Sequence, residues 1–296
     1  MASGSMHTLA VDIGGTRIKV GLVAQRRLIA QQLLEARSHE GLQPQLPRIA
    51  AALRDLCGAN HVDLAACHGL GIAFPGVIDD QGWVLDSYGK YGDAPQIDLR
   101  AWSQQQLGLT LAIDNDARAA LLGEWLAGAG KGCNDFVMVT LGTGIGTSAL
   151  MSGQLVRGRH GQAGILGGHI TVRYDGKACV CGNRGCAETE APRADYAALF
   201  DLARAGDPRA IAQRDRSIEV WAAVSVSLIH SYDPERVVMG GGVSEGAADF
   251  LAELTRQVHS RAHTPWGRVE IVPALLGNSA ALLGAAHLVE RHEENS

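Results

Sequence analysis

A strand that breaks at a glycine turn and resumes as a second strand occurs twice in this 296-residue chain. Leu9-Ala10-Val11-Asp12 reads as a buried strand; it stops at Gly14-Gly15-Thr16 and continues through Ile18–Val23. The same grammar restarts at Phe136–Leu141, turns at Gly142-Thr143-Gly144-Ile145-Gly146 and continues at Thr147–Met151. Such a pair reads as a hairpin about a glycine turn. Each half then goes on in alternating strands and helices, which predicts α/β domains with sheets covered by helices. In the first half the pattern places strands near Leu28–Leu33, Leu70–Phe74 and Leu111–Ile113. It places helices near Pro47–Leu56 and Ala117–Ala127. The second half carries a long helix over Ile218–Ile229, strands at Val237–Met239 and Val269–Val272, and a last helix over Ala280–Val289. The expected division is a first domain over 7–117, a second over 118–279, and a final helix, 280–292, returning to the first.

Glycine is the unusual component, 37 residues of 296, well above the usual ~7%. Glycine-rich turns at strand ends let backbone N–H groups approach an anion with no side chain in the way. In the first turn Asp12, Gly14, Gly15 and Thr16 combine a carboxylate, two bare amides and a hydroxyl. Asp12 can serve Mg²⁺ directly or through water, because that ion takes oxygen ligands and keeps several waters. The second turn repeats the cradle with Gly142, Thr143, Gly144 and Gly146 and no acid. A dinucleotide fingerprint needs a helix after its glycines; here a strand follows. No Gly-Lys-Ser/Thr follows either, so a Walker loop is excluded. A third run, Gly240-Gly241-Gly242, also follows a strand and suits close approach to a ring or ribose. One such loop reads as an ordinary tight turn. Three at strand ends favour nucleotide phosphates.

The 26 Lys+Arg against 31 Asp+Glu leave a net charge of −5, which argues against nucleic acid as the main partner. No apolar run reaches the ~18 residues of a membrane span. No signal peptide is legible at the start, so a reducing cytoplasm is expected. There Cys179, Cys181 and Cys186, with His169 upstream, need a reason other than a disulfide framework. Three thiolates and one imidazole compose a closed tetrahedral Zn²⁺ set. The alternatives are three reduced thiols or one disulfide; the polar loop and the compartment favour zinc. Such a site would be structural, with no open position for chemistry.

The run Asp12–Lys19, the Pro75-Gly76-Val77-Ile78-Asp79 turn, the Gly142–Gly146 loop, the Gly240-Gly241-Gly242 loop and the His-x9-Cys-x-Cys-x4-Cys spacing resemble the ROK family of bacterial sugar kinases and related repressors. The resemblance implies a two-domain actin-like ATPase (ribonuclease H-like) α/β fold with an interdomain cleft, and an ATP- and Mg²⁺-dependent kinase of a hexose or amino-hexose, acting on the 6-hydroxyl. It implies a cytoplasmic homodimer. It extends the nucleotide site to Lys19 and makes Asn115-Asp116 the family's catalytic Asn-Asp, with Asp116 as general base. Without the resemblance, Asn115 or Asp116 reads equally as a helix N-cap. Gly76, Asp98, Asn115, Asp116, His169 and Glu188 become sugar contacts, His169 also remaining a zinc ligand.

Two positions depart from the family pattern. Leu166 stands where a sugar-binding Glu is usual, and Asp98 where an Asn is usual. Losing a carboxylate removes strong acceptors, and a carboxylate in place of an amide accepts but cannot donate. The sugar pocket is therefore expected to differ from that of a glucose-specific enzyme. The alternative reading is a catalytically weak or inactive ROK protein that binds or senses sugar. A repressor is disfavoured, because the first glycine turn lies too near the start for a preceding DNA-binding domain.

Overall fold

The computed structural model describes residues 7–142, 144–191, 195–243 and 250–294. They form two compact units. One comprises the chain up to Ala127, the segment Arg157–Gln162 and the chain from Ser279 onward; the other holds Gly128–Val156 and Ala163–Asn278.

In the first unit, β1 (His7–Ile13), β2 (Arg17–Ala24) and β3 (Arg27–Glu35) form an antiparallel meander. Leu9, Ala10 and Val11 are fully buried, as expected of a central strand covered on both faces. Strand β3 is an edge, largely exposed along its length. Helix α1 (Leu46–Ala59) starts with proline in its first turn and buries Ile49, Leu53 and Leu56, the spacing of one helical face. Next come β4 (Leu70–Phe74), the small hairpin β5 (Val77–Ile78) with β6 (Val84–Asp86), α2 (Leu99–Leu107), β7 (Leu111–Asn115) and α3 (Asp116–Ala127). The sheet order is β3-β2-β1-β4-β7, with β1, β4 and β7 parallel.

The second unit repeats this design. Strands β8 (Phe136–Leu141), β9 (Ile145–Met151) and β10 (Gln154–Leu155) form the meander. The short α4 (Ala187–Glu190), α5 (Tyr196–Arg204) and α6 (Pro208–Tyr232) precede β11 (Arg236–Gly240), α7 (Leu251–Arg261) and β12 (Glu270–Pro273). The order β10-β9-β8-β11-β12 matches the first sheet strand for strand, with β8, β11 and β12 parallel. Trp221 of α6 is fully buried, edge-on to Phe250 at 5.3 Å and to Tyr196 at 5.1 Å. The start of α6 is set by Asp207, whose carboxylate accepts from the Ala210 amide at 2.7 Å.

The last helix, α8 (Ala280–Glu294), packs in the first unit on α3, β4 and β1. Its approach depends on glycine. A β-carbon on Gly284 would stand 1.7 Å from the Ala119 carbonyl oxygen, and one on Gly71 would stand 1.9 Å from that of Ala285. Only hydrogen at these two positions lets backbone meet backbone. Because α3 packs along α8, the division between units falls after Ala127.

The strands read from the sequence recur as β1–β4, β7–β9, β11 and β12. Pattern reading missed α2, α4, α5 and α7; α4 is a single turn, whereas α5 buries Leu199, Phe200 and Ala203 and α7 buries Leu254 and Val258, an apolar face at helical spacing that the sequence does carry.

Candidate active site

The two glycine turns hold the same topological place, each joining the first two strands of its sheet. In the first unit, the Gly14 amide donates to the Arg17 carbonyl at 3.0 Å, closing the turn. Two distant groups clamp it. Tyr91 Oη donates to the Gly14 carbonyl at 2.8 Å, and Ser38 Oγ donates to the Gly15 carbonyl at 3.0 Å. With its carbonyls tied back, the turn keeps the Gly15 and Thr16 amides, which meet no protein acceptor among the described residues. That is the arrangement of an anion nest. Asp12, at the end of β1, is half-buried, and Lys19 Nζ lies 2.8 Å from its Oδ2. Their pairing across the β1–β2 register brings a cation and an anion to one side of the turn.

Asp116 opens α3 directly after β7. Loss of hydration, and then the negative charge of Asp12, push its carboxyl up to about 6; the Ala117 amide and the Lys90 ammonium pull the other way. A carboxyl at that value is a competent proton acceptor near neutral pH. Its neighbour Asn115 is committed elsewhere. Asn115 Nδ2 donates to the Gly76 carbonyl at 2.9 Å, and its Oδ1 accepts from the Ala117 amide at 2.9 Å. Asn115 is therefore the cap of α3 and the anchor of the Pro75-Gly76 turn. Asp114, fully buried, binds Arg118 Nη1 at 3.2 Å and Arg157 Nη1 at 2.7 Å, and Arg118 reaches the Gly161 carbonyl at 2.9 Å. This charge-assisted network fixes the strand-to-helix turn that presents Asp116.

Within the second unit, Glu188 on α4 lies against the second glycine turn. A β-carbon on Gly144 would stand 2.8 Å from Glu188 Oε1, and one on Gly168 would stand 3.0 Å from Oε2. The carboxylate thus fills a slot lined by two glycines. Thr147 Oγ1 donates to the Gly164 carbonyl at 2.6 Å and accepts from the Gly167 amide at 2.8 Å, pinning the segment that carries Leu166 to β9. Leu166 is half-buried. Gly146 pairs with Thr140 inside the hairpin. Gly240 and Gly241 pack tightly: a β-carbon on Gly241, at φ +87°, would meet the Leu141 oxygen at 2.3 Å. Gly242 is exposed. Thr143 lies outside the described residues.

His169, Cys179, Cys181 and Cys186 converge in this unit. One ligand atom from each lies within 4.8 Å of all the others, with Cys179 Sγ 3.6 Å from His169 Nδ1 and Cys181 Sγ 3.6 Å from Cys186 Sγ. Thiolates at Zn–S of about 2.3 Å in a tetrahedron stand roughly 3.8 Å apart, so the donor set fits that ion. No disulfide joins these cysteines. Glu188 follows Cys186 by two residues, so whatever holds the cluster also sets the start of α4. Glu190, in contrast, is structural, buried against the Lys177 amide and Arg216.

Asp98 is exposed, and its Oδ1 accepts from the Ala101 amide at 2.8 Å as the N-cap of α2. Sequence reading passed over Lys90. Its side chain lies across the first glycine turn, where a β-carbon on Gly15 would stand 3.1 Å from its Cε and 3.4 Å from its Nζ.

Two sheets of one topology, each opening on a glycine turn at the end of its first strand, define the actin-like ATPase fold. Within that class the sequence matches the ROK family over residues 8–292, and the chain belongs to that family. It is 30% identical over 315 aligned residues to the glucokinase of Thermotoga maritima, covering 96% of this chain and 98% of that one. Among solved structures it resembles the ROK hexokinase of Thermus thermophilus at 29% identity and TM-score 0.80, covering 98% of this chain and all of that one. It also resembles a ROK glucokinase of Streptomyces griseus in complex with glucose and AMPPNP, at 28% identity and TM-score 0.81, covering 96% and 99%. No helix among the described residues is long and apolar enough to cross a membrane.

Proposed function

We propose that this ROK protein transfers the terminal phosphoryl group of ATP to a hydroxyl of a hexose or amino-hexose, the 6-hydroxyl, with Asp116 as general base. One observation carries the reading: a carboxyl lifted to about 6 stands within electrostatic reach of an acid-bearing glycine turn whose amides are open to an anion. Phosphoryl transfer asks little covalent chemistry of a protein; positioning and charge neutralisation do most of the work. Gly14, Gly15, Thr16 and Lys19, with Gly142, Thr143, Gly144, Gly146 and the Gly240–Gly242 run, are assigned to the nucleotide. Asp12 would hold Mg²⁺, which when bound offsets phosphate charge. Asp116 accepts the proton of the attacking hydroxyl as the new oxygen–phosphorus bond forms.

Gly76, Glu188 and His169 are assigned to the sugar. Asn115 supports the site by holding Gly76 and capping α3. His169, Cys179, Cys181 and Cys186 would hold Zn²⁺ as a structural ion, whose service is to shape the loop that delivers Glu188. With Leu166 where the family pattern has a Glu, the sugar meets one carboxylate fewer than that pattern supplies, and the substrate screen below identifies it. The reading carries with it a cytoplasmic homodimer, which light scattering checks.

The decisive experiment is a coupled ATP-consumption screen over hexoses, N-acetylhexosamines and ketohexoses, with Asp116→Asn as the control. Sugar-dependent turnover lost in the control supports the reading. Sugar binding without turnover in the wild type would instead favour a sensor. A nucleotide-bound crystal with the phosphates remote from residues 12–16 and 142–146 would overturn the site.

A further inference from the structure

Lys90 is held in place by more effort than a surface lysine requires. The segment that carries it runs through left-handed backbone at Tyr88 (φ +50°), Gly89 (φ +78°) and Tyr91 (φ +51°). For the two tyrosines this conformation costs about 1–3 kcal/mol each and persists only where surroundings enforce it. Tyr91 is fully buried; its hydroxyl holds the Gly14 carbonyl at 2.8 Å and its amide donates to the Ser38 carbonyl at 3.1 Å. Ser38 in turn holds Gly15. The strained segment and the first glycine turn are thus one clamped body, and the Lys90 arm lies over the side of Gly15 where a β-carbon would stand 3.1 Å from its Cε. Among the described residues no carboxylate comes within ion-pair distance of Lys90, although its charge reaches Asp116. Lys19, the other ammonium of the turn, is already paired with Asp12.

We infer that Lys90 is a catalytic residue that binds the phosphoryl group in flight, its ammonium standing between the phosphate turn and Asp116. This rests on the kinase reading. A group leaving the turn at Gly14-Gly15 for an oxygen held by Asp116 passes an ammonium that lies against the turn, acts on Asp116 through its charge and has no ion-pair partner among the described residues. Charge spread over the equatorial oxygens in the loose transition state is what such a cation stabilises. Neutralising the same charge eases proton loss from the alcohol to Asp116. The charged groups acting there are Asp12 from β1, Lys19 from β2, Lys90 from the strained segment and Asp116 itself.

The test is steady-state kinetics of wild type, Lys90→Met, Lys90→Arg and Asp116→Asn with ATP and the best sugar of the screen, with melting curves. Lys90→Met is expected to lower kcat by about 100-fold, the size of loss seen when one transition-state donor is removed. Both KM values should stay within about threefold, because a contact made mainly in the transition state leaves ground-state binding alone. Lys90→Arg should recover at least a tenfold part of the loss. The acid limb of kcat in Lys90→Met should move to higher pH, since Asp116 loses a cation that holds its proton off; a merely structural role would not move it. If Lys90→Met keeps kcat and only the sugar KM rises, the lysine serves acceptor binding and the inference is wrong. If Met and Arg variants lose kcat equally together with melting temperature, the role is structural and the inference is again wrong. Wild type without sugar-dependent turnover overturns the kinase reading, and this inference with it; turnover lost in Asp116→Asn but kept in Lys90→Met overturns the inference alone.

Discussion

Asn115 Nδ2 donates to the Gly76 carbonyl at 2.9 Å across 39 residues of sequence. That bond, with the one its Oδ1 accepts from the Ala117 amide, ties Asn115 to the Pro75-Gly76 turn and to the start of α3. The Asp116 carboxylate also accepts from the Ala117 amide, and in addition feels the charge of Asp12.

Asp116→Asn should abolish turnover and yet stabilise the fold at pH 8. A general base contributes roughly 10²–10⁴ in rate. The stability effect follows from its raised pKa, about 6 in the folded chain against about 3.9 unfolded. Between those values the folded state holds a proton that the unfolded state has lost, so stability falls as pH rises through the window and stays lower above it. Removing the charge should return about 2 kcal/mol after allowing for solvent at a half-buried group. Urea titrations at pH 8 and pH 4 measure it; the gain should be absent at pH 4.

The pH dependence of kcat should show an acid limb with its midpoint near 6. Only the ionised carboxylate accepts the proton of the alcohol. A limb near 4 would show that Asp116 is hydrated in the complex.

Cys181→Ser should release the metal and raise the sugar KM more than the ATP KM. Cys181 and Cys186 face each other at 3.6 Å, and Glu188 begins two residues beyond. Elemental analysis of the purified wild type should find one zinc per chain, and the variant less. Melting temperature should fall with the metal, because a closed zinc site contributes to folding directly.

Leu166→Glu should shift the ratio of kcat/KM values toward glucose-like sugars by at least about tenfold, the scale of one added buried polar contact. The position is half-buried on a segment pinned to β9 by Thr147, so the backbone is already fixed. An unchanged ratio would show that the side chain does not meet the sugar.

What the sequence by itself determined is local. The glycine turns, the apolar runs of β1, β4, β8 and β11, and the cysteine spacing are patterns within about ten residues, where backbone geometry and donor chemistry are set by immediate neighbours. The helices found by pattern are α1, α3, α6 and α8, read from apolar spacing or from runs of good helix formers. Tertiary structure alone decided the rest. Tyr91 meets Gly14 across 77 residues, and Lys90 rides with it; nothing near either in sequence signals the meeting. That Asn115 also anchors Gly76 across 39 residues is likewise a tertiary fact. The raised pKa of Asp116 is a sum of lost hydration and distant charge, quantities that exist only once the chain has folded around it.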